Sequence, residues 1–326
     1  METEKMKEMI TKAGGDASTL PDNLITTYWK KLGEALGVDM SNLPNNLVTT
    51  HMQAIIDGYA GGGGGTGGDS EYNVKYIFPN EIPNDAYEAT TFFEKIKADN
   101  VVSVGATAFY DCTALQSVNL PNATELHYGA FWGCDALQSV NLPSAISIVK
   151  NAFLYCTALQ SVNLPNATEI GEKAFRECIA LQSIDLPSAT VIGLEAFIDC
   201  TALQSVNLPN ATLIDDYAFR GCTALQSVNL SNNTSVDGAA FYGCTSLDTV
   251  ILRSSTICDF NLTAVIGTKI LSETAMPTGE GFIYVPTALF EDYITMFTEQ
   301  VGDAEMAAMI VGPILRKIED YPEICG

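Results

Sequence analysis

The chain is poor in positive charge: 16 Lys and Arg stand against 39 Asp and Glu, a net charge of −23. A field of that sign repels phosphate backbones, which argues against nucleic acid as a partner. Histidine is scarce too, with only His51 and His127 in distant parts of the chain. No G-x-S-x-G, H-E-x-x-H or dinucleotide fingerprint accompanies them, so catalysis is not expected. Zinc would need paired spacings such as C-x-x-C with histidine, and none occurs; no metal and no cofactor are expected. No run of 18 apolar residues exists, which argues against membrane insertion. The start, Met1-Glu-Thr-Glu-Lys-Met-Lys-Glu-Met9, lacks an apolar signal core. The expectation is a protein made in the cytoplasm without a signal peptide.

What is present is a period. Phe109, Phe131, Phe153, Phe175, Phe197, Phe219 and Phe241 recur every 22 residues, each followed by a cysteine three residues on, Cys112 to Cys244. A leucine follows after three more, Leu115 to Leu247. A fixed spacing without insertions means one structural unit stacked on the next. Within a unit, Leu159-Gln-Ser-Val162-Asn-Leu164 reads as a short strand with Val162 and Leu164 inward, Ser161 and Asn163 outward. Ala167 to Gly171 predicts a second extended stretch, and Ala174-Phe175 a helical or 3₁₀ turn that returns the chain. Seven of the nine cysteines fall one per coil with parallel directions, which predicts a buried ladder of free thiols rather than disulfides.

The consensus A-F-x-x-C-x-x-L-x-x-[VI]-x-L-P-x-A-T-x-I-x resembles the bacterial BspA-like, or treponemal, leucine-rich repeats. That resemblance implies an α/β leucine-rich-repeat solenoid of about seven 22-residue coils and a role in adhesion or recognition. It names no ligand.

In order, residues 1–59 carry a duplicated octet, Leu20-Pro-Asp-Asn-Leu-Ile-Thr-Thr27 and Leu43-Pro-Asn-Asn-Leu-Val-Thr-Thr50, each leading into a helical pattern. So short a segment has a thin core, and it is expected to dock on a partner or on copies of itself. Residues 60–70 are a glycine-rich tether without the Gly-Lys-Ser/Thr ending of a phosphate loop. Residues 71–100 are expected to cap the solenoid, with a strand at Tyr76–Phe78 and a helix at Ala89–Ala98. Residues 101–253 are the repeats, the stack beginning at Val101. Residues 254–326 are expected to hold one or two irregular coils, a final strand at Phe282–Pro286 and an amphipathic helix at Thr287–Val301, which resemble the C-terminal cap of BspA-like arrays. Asn122, Asn166 and Asn210 match the glycosylation acceptor pattern, but without a secretion signal modification is not expected.

Two surfaces are candidates for binding. One is the constant polar strand ladder, represented by Ser161, Asn163, Ser183 and Asp185. The other is the varied position after each phenylalanine, which runs Tyr110, Trp132, Leu154, Arg176, Ile198, Arg220, Tyr242. Variation on a constant frame suits a recognition surface; relaxed constraint at exposed sites would give the same pattern. The reading is a non-enzymatic binding module on a larger assembly. Residues 1–59 would engage a virion or other assembly protein, and the solenoid a host surface protein or glycan. This is the arrangement of a phage virion structural protein, on the virion surface. The alternative is a bacterial cell-surface adhesin or an intracellular interaction scaffold.

Overall fold

The computed structural model describes residues 80–89, 94–230, 234–266, 268, 270–271 and 281–325. The helical segment expected over 1–59, the tether expected over 60–70 and the strand expected at Tyr76–Phe78 lie outside the described residues. Two series of short parallel strands run up the stack. The first sheet holds β1 (Glu81–Ile82), β3 (Ser103–Val104), β5 (Glu125–Leu126), β7 (Ser147–Ile148), β9 (Glu169–Ile170), β11 (Val191–Ile192), β13 (Leu213–Ile214) and β15 (Ser235–Val236). On the other side of each coil lie β2 (Lys95–Lys97), β4 (Ser117–Asn119), β6 (Ser139–Asn141) and β8 (Ser161–Asn163). They are followed by a separate six-stranded sheet of β10 (Ser183–Asp185), β12 (Ser205–Asn207), β14 (Ser227–Leu230), β16 (Thr249–Leu252), β17 (Phe282–Val285) and β18 (Leu315–Lys317). Residue pairs such as Ser183 with Ser205 and Ile192 with Ile214 sit one repeat apart, so the 22-residue period is the register itself.

The core follows from the spacing. Every ladder phenylalanine is fully buried, and neighbouring rings stack with centroids 5.0 to 5.4 Å apart. Offset parallel stacking adds to the gain from burying area of that size. The seven ladder cysteines are buried and free. They are more than apolar filler. Each thiol donates to the carbonyl of the aromatic residue one coil back, as Cys156 does to Phe131 at 3.1 Å and Cys178 to Phe153 at 3.3 Å. Burial pushes the thiols of Cys134, Cys156, Cys178 and Cys222 above their ordinary range, which keeps them protonated as donors.

Of the two forms expected, the returning segment takes the tighter, with 3₁₀-type turn bonds. Ala174-Phe175 lies in a turn rather than a helix, because its N–H groups alternate between two destinations. Those of Ala174, Arg176 and Cys178 bond within the coil, while those of Lys173, Phe175 and Glu177 bond to the carbonyls of Leu194, Ala196 and Ile198 in the next. A helix would use all of them internally. The alternation is bought with left-handed backbone at two positions per coil, such as Lys173 at φ 57° and Glu177 at φ 60°.

The stack also starts earlier than Val101. Lys95–Lys97 is strand β2, not part of a helix, and pairs with β4; β1 pairs with β3. Tyr87 takes the phenylalanine position of this coil and stacks on Phe109 at 5.2 Å. At the other end a further coil carries the 3₁₀ turn Leu262–Val265, where the N–H of Phe241 donates to Ala264. Phe282–Val285 is a strand as expected, but not the final one. The chain continues through α1 (Phe290–Val301) and α2 (Ala304–Ile314) to β18, which pairs with β17. Among the described residues no helix is long and apolar enough to cross a membrane.

One step in the stack is unlike the rest: β8 and β10 are not hydrogen-bonded, although β9 and β11 on the other side are. The ladder of outward asparagines is also broken there. Asn141 donates its amide to Asn119 at 2.7 Å, Asn163 to Asn141 at 2.6 Å and Asn207 to Asp185 at 2.8 Å. In every case the later coil supplies the N–H. Asp185 has no amide hydrogen to give to Asn163, and the sheet divides at that residue. Asp185→Asn should therefore raise stability by about 1 kcal/mol, the net worth of an ordinary hydrogen bond. Chemical denaturation measures it, and an unchanged midpoint would show that the carboxylate is not what separates the strands.

Candidate binding surface

The strand ladder and the varied row occupy different parts of the coil. Ser161, Asn163, Ser183 and Asp185 are exposed on the strand side, but the unpaired step between β8 and β10 falls between the two pairs. The asparagine amides there are largely engaged with one another along the stack.

The varied row lies on the turn segment, where the side chains form three groups. Near the N-terminal end Trp132 meets Tyr110 edge to face at 5.3 Å and Tyr128 at 6.3 Å. Asn151, buried below, donates to the hydroxyl of Tyr128 at 3.1 Å and so fixes that ring. In the middle stands a charge network. Glu172 accepts from Lys150 at 2.7 Å and Lys173 at 2.9 Å, and Arg176 reaches Glu195 at 2.7 Å. These two lysine hydrogen bonds hold the Glu172 carboxyl below its ordinary range. Farther along, the guanidinium of Arg220 lies 5.5 Å from the ring centroid of Tyr217 and 5.6 Å from that of Tyr242.

Of the residues singled out in the sequence, Tyr110 and Trp132 are thus brought together, Arg220 and Tyr242 are brought together, and Arg176 is tied to acids. Leu154 and Ile198, in the same row, are 5% exposed and belong to the packing rather than to a surface. Asn151 was missed, although it stands at a varied position two residues before Phe153; Glu172, three before Phe175, pairs across coils with Lys150. The left-handed positions were missed as well. The signal for them was there: Gly129, Gly133, Gly221 and Gly243 fall at those two positions of the coil.

His127 faces Ser103 at 3.3 Å and Glu125 at 4.0 Å, which resembles a nucleophile with its base. Both contacts use the same ring nitrogen, Nε2, so the acid cannot orient the imidazole through the other, and no relay is formed.

Beside the third group runs an acidic ladder, Asp215, Asp237 and Asp259, with Asp216. Partial burial first, and then Asp215, Asp216 and Asp259, push the Asp237 carboxyl above its ordinary range. A raised folded value means that the protonated form suits the fold; the corresponding stability is present in acid and lost as pH rises through that value. Asp237→Asn should accordingly raise Tm at pH 7 and give no gain once the pH is low enough to protonate Asp237. A gain independent of pH would contradict this account.

The family described as BspA type leucine rich repeat region matches in six copies over residues 80–190 and 168–292. Among solved structures, a leucine-rich repeat protein from Bacteroides ovatus is 27% identical, with 57% of this chain and 53% of that one covered and a TM-score of 0.47. The leucine-rich repeat protein of T. pallidum is 31% identical, covering 53% of this chain and 80% of that one, with a TM-score of 0.44. The chain thus spans about half the length of the Bacteroides protein. No curated protein matches. With one coil per repeat, a phenylalanine and thiol core in each, and the family match running over more than half of its length, this chain belongs to the BspA type leucine-rich repeat family.

Proposed function

We propose that the chain is a non-enzymatic recognition and adhesion module whose binding face is the turn row. The observation that carries this reading is the contrast between two sides of the same coil. On the strand side Asn119, Asn141 and Asn163 bond one another, so the amides serve the stack. On the turn side the residues differ from coil to coil while the backbone beneath them does not, and they gather tyrosine, tryptophan and arginine, the types enriched at binding hot spots. Weak contacts repeated along the row would gain strength from several copies displayed together.

Beads coated with the full chain should adhere to bacterial or epithelial cell surfaces, and Trp132→Ala with Tyr242→Ala should abolish adhesion. Replacing Ser161, Asn163, Ser183 and Asp185 together should leave it intact. The reverse pattern would move the site to the strand face, and retention no better than that of uncoated beads would make the array a spacer.

Display on a larger assembly is the finer part of the proposal. The duplicated octets within residues 1–59 and the glycine tether after them support an anchor in series with the solenoid, on a phage particle or another assembly. Deleting residues 1–60 should leave the solenoid folded and end incorporation or self-association; normal incorporation would place the anchor elsewhere.

A further inference from the structure

Arg176 and Arg220 occupy the same position of the repeat two coils apart, and their surroundings are opposite. Arg176 is neutralised: its Nη1 lies 2.7 Å from Glu195, and its Nε 3.6 Å from Glu177. The residues at the matching places around Arg220 are Ala239 and Gly221. Among the described residues no carboxylate approaches the Arg220 guanidinium within ion-pair distance, 4.0 Å. It is exposed, and it is held between the rings of Tyr217 and Tyr242 at 5.5 and 5.6 Å. Tyr217 itself stands on left-handed backbone, φ 58°, so the coil geometry rather than free rotation sets where its side chain starts. In a chain of net charge −23 this cation, among the described residues, has two rings and no carboxylate beside it, and is kept in place.

We propose that Tyr217, Arg220 and Tyr242 form a binding site for a saccharide unit that carries a single carboxylate, a sialic or uronic acid. The planar guanidinium offers parallel N–H donors that match a carboxylate in two-point geometry. The flanking rings limit the loss of side-chain freedom on binding and present apolar faces with a hydroxyl at the rim, which suits the mixed C–H and O–H surface of a sugar ring. Asp215 and Asp216, which directly precede Tyr217, and Asp237 and Asp259, which act together with them, raise the cost of bringing in a dense polyanion, so the site favours one carboxylate among neutral hydroxyls over an acidic peptide or a sulfated polymer. The inference rests on the turn row being the binding face and gives one stretch of it a ligand class.

The test uses the full chain and oligosaccharides ending in sialic, glucuronic or galacturonic acid, each paired with its neutral counterpart, with an N-acetyl-glutamate amide and inorganic sulfate as further probes. Saturation-transfer NMR and calorimetry read the binding. At least one acidic saccharide should bind tenfold or more tightly than its neutral counterpart. Arg220→Gln should abolish that difference, Arg220→Lys should weaken it severalfold, and Arg176→Gln should leave it unchanged. Equal binding of acidic and neutral sugars, no binding of any of them, or indifference to Arg220→Gln overturns the proposal. Equal binding of the glutamate amide or sulfate shows an anion site without sugar preference and overturns the ligand class. The bead assay keeps the two levels apart: if Trp132→Ala lowers adhesion while Arg220→Gln changes nothing in either experiment, the turn row stands and this site falls.

Discussion

Phe175→Ala, in the middle of the stack, should cost about 3 to 5 kcal/mol, the range for deleting a buried aromatic side chain. The upper part of that range is the expected one. The ring is fully buried and stacks on Phe153 at 5.2 Å and on Phe197 at 5.2 Å, so its loss strips two neighbours of a partner. The surroundings cannot collapse into the gap, because the Phe175 N–H is held by Ala196 at 2.8 Å and the Phe153 N–H by Ala174 at 2.8 Å. Tyr87→Ala should cost less, as Tyr87 is 5% exposed where Phe175 is fully buried. Urea denaturation of the two variants measures the difference. A loss below about 1 kcal/mol at Phe175 would mean that the ring ladder fills space without holding the coils together.

Truncating the chain before Gly281 should convert a folded protein into soluble aggregates or an unfolded chain. The cut removes β17, which pairs with Thr249, Val250 and Ile251 of β16, and leaves those residues on a bare strand edge. Such an edge is a template for pairing with another chain. It also removes α1, whose Tyr293 and Phe297 are fully buried, with Phe297 against Phe260 at 6.1 Å. The hydroxyl of Tyr293 accepts from the N–H of Cys258 at 2.9 Å, and Gln300 both accepts from Leu262 and donates to the carbonyl of Phe260. Among the described residues these bonds finish the irregular coil. Tyr293→Phe should therefore cost about 1 to 3 kcal/mol, the penalty for orphaning a buried donor. Size-exclusion chromatography and circular dichroism decide the truncation; a monomer with unchanged Tm would show that the coils end themselves.

The fold could be read from the sequence because its register is the repeat. Phe175, Cys178, Leu181, Ile184 and Leu186 recur at fixed offsets, and each is buried where its offset places it. Tyr87 hid the first coil by replacing the phenylalanine, and Lys95-Ile-Lys97 hid its strand by setting a charge on each side of the one buried residue. The left-handed backbone of the turn segment went unread because Lys173, Glu195 and Tyr217 are not residues that announce it; the stacking hydrogen bonds impose it. The candidate surface was legible only as variation. What separates Arg176 from Arg220 is an acid at 195 and none at 239, a contact across coils that appears in the sequence only once the stacking offset is known.

The undivided sheet and the divided one give the array an unequal resistance to load. If the ends of the solenoid are pulled apart, most steps hold by backbone hydrogen bonds on every side of the coil. Between β8 and β10 the strand side carries none, while β9 with β11 and the turn bonds of Phe153 and Tyr155 to Ala174 and Arg176 still bridge the gap. Tension is then borne off-centre at that step, so the array bends there, opening on the strand side, before any coil unwinds. Four coils with the aromatic cluster would swing as one block against the block that carries Arg220. A ligand gripped at both places would feel the bend as a change in the distance between its two holds.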